Sequence, residues 1–169
     1  MTGHAVLTPM LMVIVMITGD FLSMSLTTDR VRPSKMPNSW QIGRITIAGV
    51  ILGVCFLAFS TAILAIGQFE MHLGIEALRT LCAVGIVFGS QATTYVIRVR
   101  QRLWGLRPSL ILVLSSLADV LIISMMAIRG IAMTPLAIWV VVCEFAAAIV
   151  FGLVLDVVKI PIFARLRIS

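Results

Sequence analysis

Three carboxyl groups, those of Asp20, Asp119 and Glu144, lie inside apolar stretches of this 169-residue chain. A carboxylate in the core of a bilayer costs about 2.5–3.5 kcal/mol on insertion scales, so each of these residues needs a physical explanation. The chemistry open to such a group is the uptake and release of a proton or another small cation. We therefore treat the three residues as candidate ion-binding groups.

Polar side chains accompany the first of these carboxyls. Ser23 and Thr27 follow Asp20 at i+3 and i+7, on the same face of a helix, and Gly19 directly precedes it. A helix with a polar face usually turns that face toward a bundle interior or a wet cavity, and we expect the same here. Pro9 and Gly19 either weaken the helix so that it opens locally around an ion, as in transporters, or are ordinary helix irregularities.

The other two carboxyls differ in their neighbours. Asp119 has Ser115 and Ser116 one turn earlier, and their hydroxyls could hydrogen-bond it in either protonation state. Glu144 has only apolar residues at i±3 and i±4. The sequence leaves two interpretations open for both residues, namely a supporting role in transport or a protonated structural role within the bundle.

The elements that position these residues are long apolar segments. The chain is 60% hydrophobic with a mean hydropathy of +1.13, whereas soluble proteins are roughly 45–50% apolar. A membrane-crossing helix needs about 20 residues, which predicts an all-α, polytopic membrane helix bundle of five transmembrane helices. The predicted spans within the single membrane domain 1–169 are 5–27, 45–66, 78–97, 110–128 and 136–155, followed by an interfacial tail at 157–169.

The positive charge is distributed unevenly between the loops. Four Lys or Arg residues lie in the first loop and four in the third, but only Arg79 in the second and Arg129 in the fourth, and three more follow in the tail. This positive-inside pattern predicts a cytoplasmic C-terminus and an N-terminus outside. We expect the membrane to be the plasma (inner) membrane. The net charge of +6 is therefore explained by orientation in the bilayer, and no nucleic acid partner is expected.

Small residues recur at a spacing of four. Gly49 and Gly53, Gly85 and Gly89, and the pair at 148 and 152 each have this spacing, which allows the backbones of membrane helices to approach closely. We expect these faces to pack on one another or on other helices.

Motifs of soluble enzymes are missing from the sequence. It contains no GxxxxGK[ST] loop, no HExxH, no GxSxG and no Cys/His cluster. The three cysteines lie within predicted spans without metal-ligand spacing, so no metal site is predicted. The sequence contains no motif for an energy source that could drive the transport of an ion.

One segment carries a specific motif. Residues 17–40 read ITGDFLSMSLTTDRVRPSKMPNSW, in which Asp29 follows Asp20 by nine residues and opens a D-R-V-x-P-S loop that ends in P-x-x-W. This segment resembles the proton-pumping plasma-membrane branch of the P-type cation-transporting ATPases, whose sixth membrane helix and following loop have this pattern. Arg107–Pro108 and the run LDVVK at 155–159 resemble the last helices of that family more weakly. The resemblance covers nearly the whole chain, as helices six to ten.

The resemblance implies specific roles. Asp20 corresponds to the membrane carboxylate that binds and releases the proton, although familiar eukaryotic members have Asn where this chain has Gly19. The phosphorylated Asp of D-K-T-G, the nucleotide-binding domain and the T-G-E-S loop are absent from the sequence. We therefore expect no ATPase activity and no cofactor in this chain, because ATP and Mg belong to the missing domains. The chain is predicted to be a truncated or split membrane segment of a proton-transporting ATPase, with the missing N-terminal pump portion or other membrane helices as partners.

Two other functions remain open at this point. The first is a non-catalytic membrane scaffold or partner subunit that packs on other helices through its small-residue faces. The second is a small gradient-driven transporter, although the absence of an internal repeat in the sequence argues against it.

Overall fold

The computed structural model describes residues 7–27, 42–98 and 108–165, and these form five α-helices. The prediction of an all-helical bundle with five transmembrane helices is confirmed, since no strand occurs in the described ranges. The loop that carries Asp29 and the third loop lie outside the described residues. The helices are α1 (Pro9–Leu26), α2 (Ile42–Phe69), α3 (Ile75–Arg98), α4 (Leu110–Arg129) and α5 (Ile138–Arg165).

Each helix is long and apolar enough to cross a membrane, so the chain is an integral membrane protein. The longest, α2 and α5, have 28 residues each, or about 42 Å at 1.5 Å per residue, whereas the hydrocarbon core is about 30 Å thick. The helix α5 continues to Arg165, past residue 157, where the sequence predicted an interfacial tail to begin. The location of residues 157–169 along the membrane interface stays a prediction.

The start of α1 follows from its sequence. Thr8 is the N-cap, with its hydroxyl accepting from the Leu11 amide at 3.4 Å, and Pro9 takes the first helical position, where it needs no amide hydrogen. The helix then runs without interruption through Gly19 to Leu26. The hypothesis of a locally opened helix is therefore not supported, and Pro9 and Gly19 belong to a regular helix.

The helix α3 lies at the centre of the bundle. It contacts all four other helices, and more than half of its membrane-crossing residues are buried. Its apolar side chains form the main core together with residues of α4 and α5. The outer sides of the other four helices carry large exposed apolar side chains, the composition that lipid requires.

The small-residue pairs behave differently in α2 and α3. A side chain at Gly49 or Gly53 of α2 would meet nothing within 4 Å, so this pair faces away from the bundle. Gly85 and Gly89 of α3 lie at contacts with neighbouring helices, and Gly152 of α5 approaches α3. The expected close packing is therefore observed on α3 and α5 but not on α2.

Candidate functional site

The outer face of α1 carries Asp20. Its side chain is exposed, as are those of Ser23 and Thr27 on the same face. Leu11 and Leu22, which are buried against the bundle, lie on the opposite side of the helix. The structure therefore places the polar face away from the other four helices, in contrast to the expectation that it points into the bundle.

The reason for this orientation lies in the packing of α1. The helix contacts α3 and α4 through its apolar side, with Ile14 and Val15 packed on the main core. The hydroxyls on the outer face are bonded within the helix, Ser23 to the carbonyl oxygen of Gly19 at 2.9 Å and Thr27 to that of Met24 at 2.7 Å. These bonds leave the carboxyl of Asp20 as the feature of this face that is costly to expose to lipid.

A second polar group lies between α3 and α4. Gln91 donates from Nε2 to Oδ2 of Asp119 and accepts at Oε1 from the hydroxyl of Ser116 at 3.0 Å. All three side chains are buried. The sequence predicted Ser115 and Ser116 as the partners of the carboxyl, but Gln91 stands between Ser116 and Asp119. An amide side chain inside a membrane span, where it needs a hydrogen-bond partner, was the signal that could have identified Gln91.

An open cavity of about 360 Å³ adjoins this group between α3, α4 and α5. Its wall is mainly apolar, with Phe88, Tyr95 and Phe145 among the lining residues, and Gln91 and Ser116 contribute polar atoms. The polar group therefore lies at the boundary between the packed helices and this apolar cavity.

The third carboxyl, Glu144, lies between α5 and α3. It is 4% exposed, and within the described chain neither of its oxygens has a hydrogen-bond partner. Its Oε1 lies 2.7 Å from the position that a Cβ atom on Gly85 would occupy. The sequence correctly predicted apolar surroundings for Glu144 but did not indicate that a glycine makes room for it.

A buried ion pair lies within the last turns of α5, beside the end of α3. Lys159 is fully buried, lies 2.9 Å from Oδ1 of Asp156 and donates to the carbonyl oxygen of Val96 at 2.9 Å. Sequence reasoning had assigned Lys159 to an interfacial tail. The i, i+3 spacing of opposite charges was the signal for this pair. The hydrogen bond from Lys159 to the Val96 carbonyl connects the end of α5 to α3.

The candidate residues do not converge on one site. Asp20 lies on the outer face of α1, Asp119 between α3 and α4, and Glu144 between α3 and α5. In the described ranges no group of three or more His, Cys, Asp or Glu side chains could hold a metal ion. The geometry thus defines a membrane helix bundle with three separate carboxyl environments, one open and two enclosed.

The chain is similar to a much longer known protein. No protein-family description matches the chain. A protein of Methanocaldococcus jannaschii, provisionally named a cation-transporting ATPase, is 27% identical over 164 residues. The match covers 96% of this chain and 20% of that protein, so the chain spans about one fifth of the length of the curated relative. A membrane segment like that of a cation-transporting ATPase fits both the five helices and this similarity.

Proposed function

We propose that this chain is a membrane segment of a P-type proton-transporting ATPase and contributes Asp20 as the carboxylate that binds the transported proton. The observation that carries the proposal is the outward orientation of this residue on α1. A carboxyl facing lipid would cost about 2.5–3.5 kcal/mol, which a partner with polar groups would remove by covering it. The similarity to a much longer cation-transporting ATPase supplies the class of that partner.

In this proposal the remaining membrane helices of the pump cover the polar face of α1, and its cytoplasmic domains supply ATP hydrolysis. The carboxyl of Asp20 then lies between α1 and those helices. A change in its hydration or pairing as the helices move would change its proton affinity, which is what binding on one side and release on the other require. This chain supplies the proton-binding group and leaves hydrolysis to the other domains.

The test is ATP-driven proton uptake by inside-out vesicles from cells that express the chain together with the reading frame that precedes its gene. We expect uptake with the wild-type chain, its loss with Asp20→Asn, and its retention with Thr61→Val. Thr61 is a matched control because it is an exposed polar residue within a span, bonded to its own helix at Leu57. Equal uptake with Asp20→Asn would remove this residue from the mechanism.

One observation favours a second function. The Gly49–Gly53 face of α2 is uncovered, as a scaffold that packs on another membrane helix would require. A complete lack of ATP-driven uptake with the wild-type chain would contradict the pump proposal and favour the scaffold. A gradient-driven transporter would instead give ATP-independent flux from the chain alone.

A further inference from the structure

Within the described part of the chain, the carboxyl of Glu144 is buried without a hydrogen-bond partner or a positive charge to offset the cost of burial. It is 4% exposed, and neither oxygen has a hydrogen-bond partner among the described residues. Along its own helix the neighbours one turn away are apolar, with Val140 and Val141 on one side and Ala147 and Ala148 on the other. Burying an ionised carboxylate without a partner is far more costly than burying the neutral acid.

A glycine on α3 leaves space for this carboxyl. Gly85 has no side chain, and a Cβ atom there would lie 2.7 Å from Glu144 Oε1 and 3.5 Å from Ile63 Cδ1. Real Cβ atoms essentially never approach another heavy atom within 3.0 Å, so any larger residue at 85 would displace the carboxyl. The carboxyl therefore occupies a recess formed by α3 and α5, with Ile63 of α2 beside it.

The groups that face this recess do not neutralise a negative charge. From α3 the titratable residue one turn before Gly85 is Cys82, which carries a thiol and no positive charge, and α2 contributes the apolar Ile63. The buried carboxyl of α4, Asp119, is already bonded to Gln91. No ion pair to Glu144 occurs in the part of the chain that the structure describes.

We infer that Glu144 is a proton-binding site enclosed within the five-helix bundle, occupied by a proton at neutral pH and separate from Asp20. The ligand is the proton itself, since a recess that a single Cβ would fill leaves no space for a hydrated cation. The inference rests on the recess and the missing partners. It does not depend on the pump proposal, because every wall belongs to this chain.

The test is infrared spectroscopy of the purified full chain in lipid nanodiscs at neutral pH, compared with Glu144→Gln. The amide is close in size to the acid, and circular dichroism checks that the variant keeps its helices. We expect the wild-type spectrum to contain the C=O stretch of a protonated carboxyl that Glu144→Gln loses. A loss of carboxylate bands in its place would overturn the inference.

Two matched pairs of variants sharpen the test. Glu76 is exposed and paired with Arg79 at 2.6 Å, so Glu76→Gln should lose carboxylate bands only. Gly85→Ala should shift or broaden the C=O stretch because its methyl displaces the carboxyl. Gly49→Ala, where the methyl meets nothing within 4 Å, should leave it unchanged. An unchanged stretch in Gly85→Ala would contradict the recess as the site.

Discussion

Gln91 and Asp119 are 28 residues apart in the sequence and share a buried hydrogen bond between α3 and α4. The bond fixes the orientation of the glutamine amide, since its Nε2 must donate to the carboxyl while its Oε1 accepts from Ser116. One residue of the central helix thus satisfies two polar groups of its neighbour, which ties α4 to α3 at the edge of the open cavity.

Replacement of this glutamine by leucine tests that connection. In Gln91→Leu both Asp119 and Ser116 lose a buried partner, so we expect the free energy of unfolding to fall by about 1–3 kcal/mol. Thermal unfolding in mild detergent, followed by circular dichroism, measures the change. Gln91→Glu keeps the size but places a second carboxyl against Asp119, and should also destabilise. A leucine variant as stable as wild type would show that the hydrogen bond contributes little.

An added methyl group should affect the stability of the bundle differently on α3, at Gly89, and on α2, at Gly53. At Gly89 the new Cβ would lie 2.7 Å from Phe56 and 3.1 Å from Phe59, so Gly89→Ala should cost about 1–3 kcal/mol through overpacking. At Gly53 the methyl meets nothing within 4 Å, and Gly53→Ala should be neutral or slightly stabilising because alanine favours the helix. Unfolding temperatures of the two variants in the same detergent decide the matter, and equal losses would contradict the assigned packing.

Because Lys159 and Asp156 form a buried ion pair, we expect the effects of their substitutions on the free energy of unfolding to be strongly coupled. Lys159→Met leaves the carboxylate and the Val96 carbonyl without this partner, and breaking a buried pair typically costs about 3–5 kcal/mol. We expect Lys159→Met combined with Asp156→Leu to be more stable than the sum of the single losses predicts. A double-mutant cycle on unfolding free energies measures the coupling, and additivity would show that the two side chains act independently.

Asp20 should matter for transport but not for the stability of this bundle. Its side chain is exposed, so Asp20→Leu should change the free energy of unfolding of the isolated chain by less than about 0.5 kcal/mol. Leu22→Asp is the matched change on the buried side of α1 and should destabilise strongly. A large loss of stability in Asp20→Leu would mean that the residue already has a structural partner within the chain.

The charge pattern of the loops predicts the orientation of the helices. With the three native cysteines replaced by alanine, His72→Cys should react in intact cells with a thiol reagent that cannot cross membranes, because the second loop is expected outside. His72 is exposed in the described loop between α2 and α3. Ser34→Cys in the arginine-rich first loop should react only after the cells are opened. The reverse pattern would invert the predicted topology.

The sequence predicted the five spans because hydropathy over about 20 residues is a local property. The hydrogen-bond partner of a buried polar side chain is not a local property, and the sequence did not predict these partners. Gln91 lies 28 residues from Asp119, and Lys159 lies 63 residues from Val96. A glutamine or lysine within an apolar helix carries no signal of which helix it will meet. The sequence indicated that Glu144 lacks polar partners on its own helix, because its neighbours one turn away are all apolar. It did not indicate that Glu144 lies close to Gly85.

Asp20 illustrates a different limit. The helical spacing correctly placed Ser23 and Thr27 on its face. The rule that polar faces turn to a bundle interior or a wet cavity did not predict the partners of α1, because its apolar side, with Leu11 and Leu22, packs on the other helices of this chain. Amphipathic spacing identifies a face, but the neighbours that cover it need not belong to the same five helices.

The central position of α3 has a consequence for biosynthesis. It is the least apolar of the five spans and the most buried, and it carries Gln91 in its C-terminal half. As α3 leaves the ribosome, α1 and α2 are available to receive it, but the Gln91 partners on α4 and the Lys159 side chain of α5 have not yet been made. The third helix should therefore remain beside the protein-conducting channel until the last two helices emerge, and it should enter the lipid only in their company.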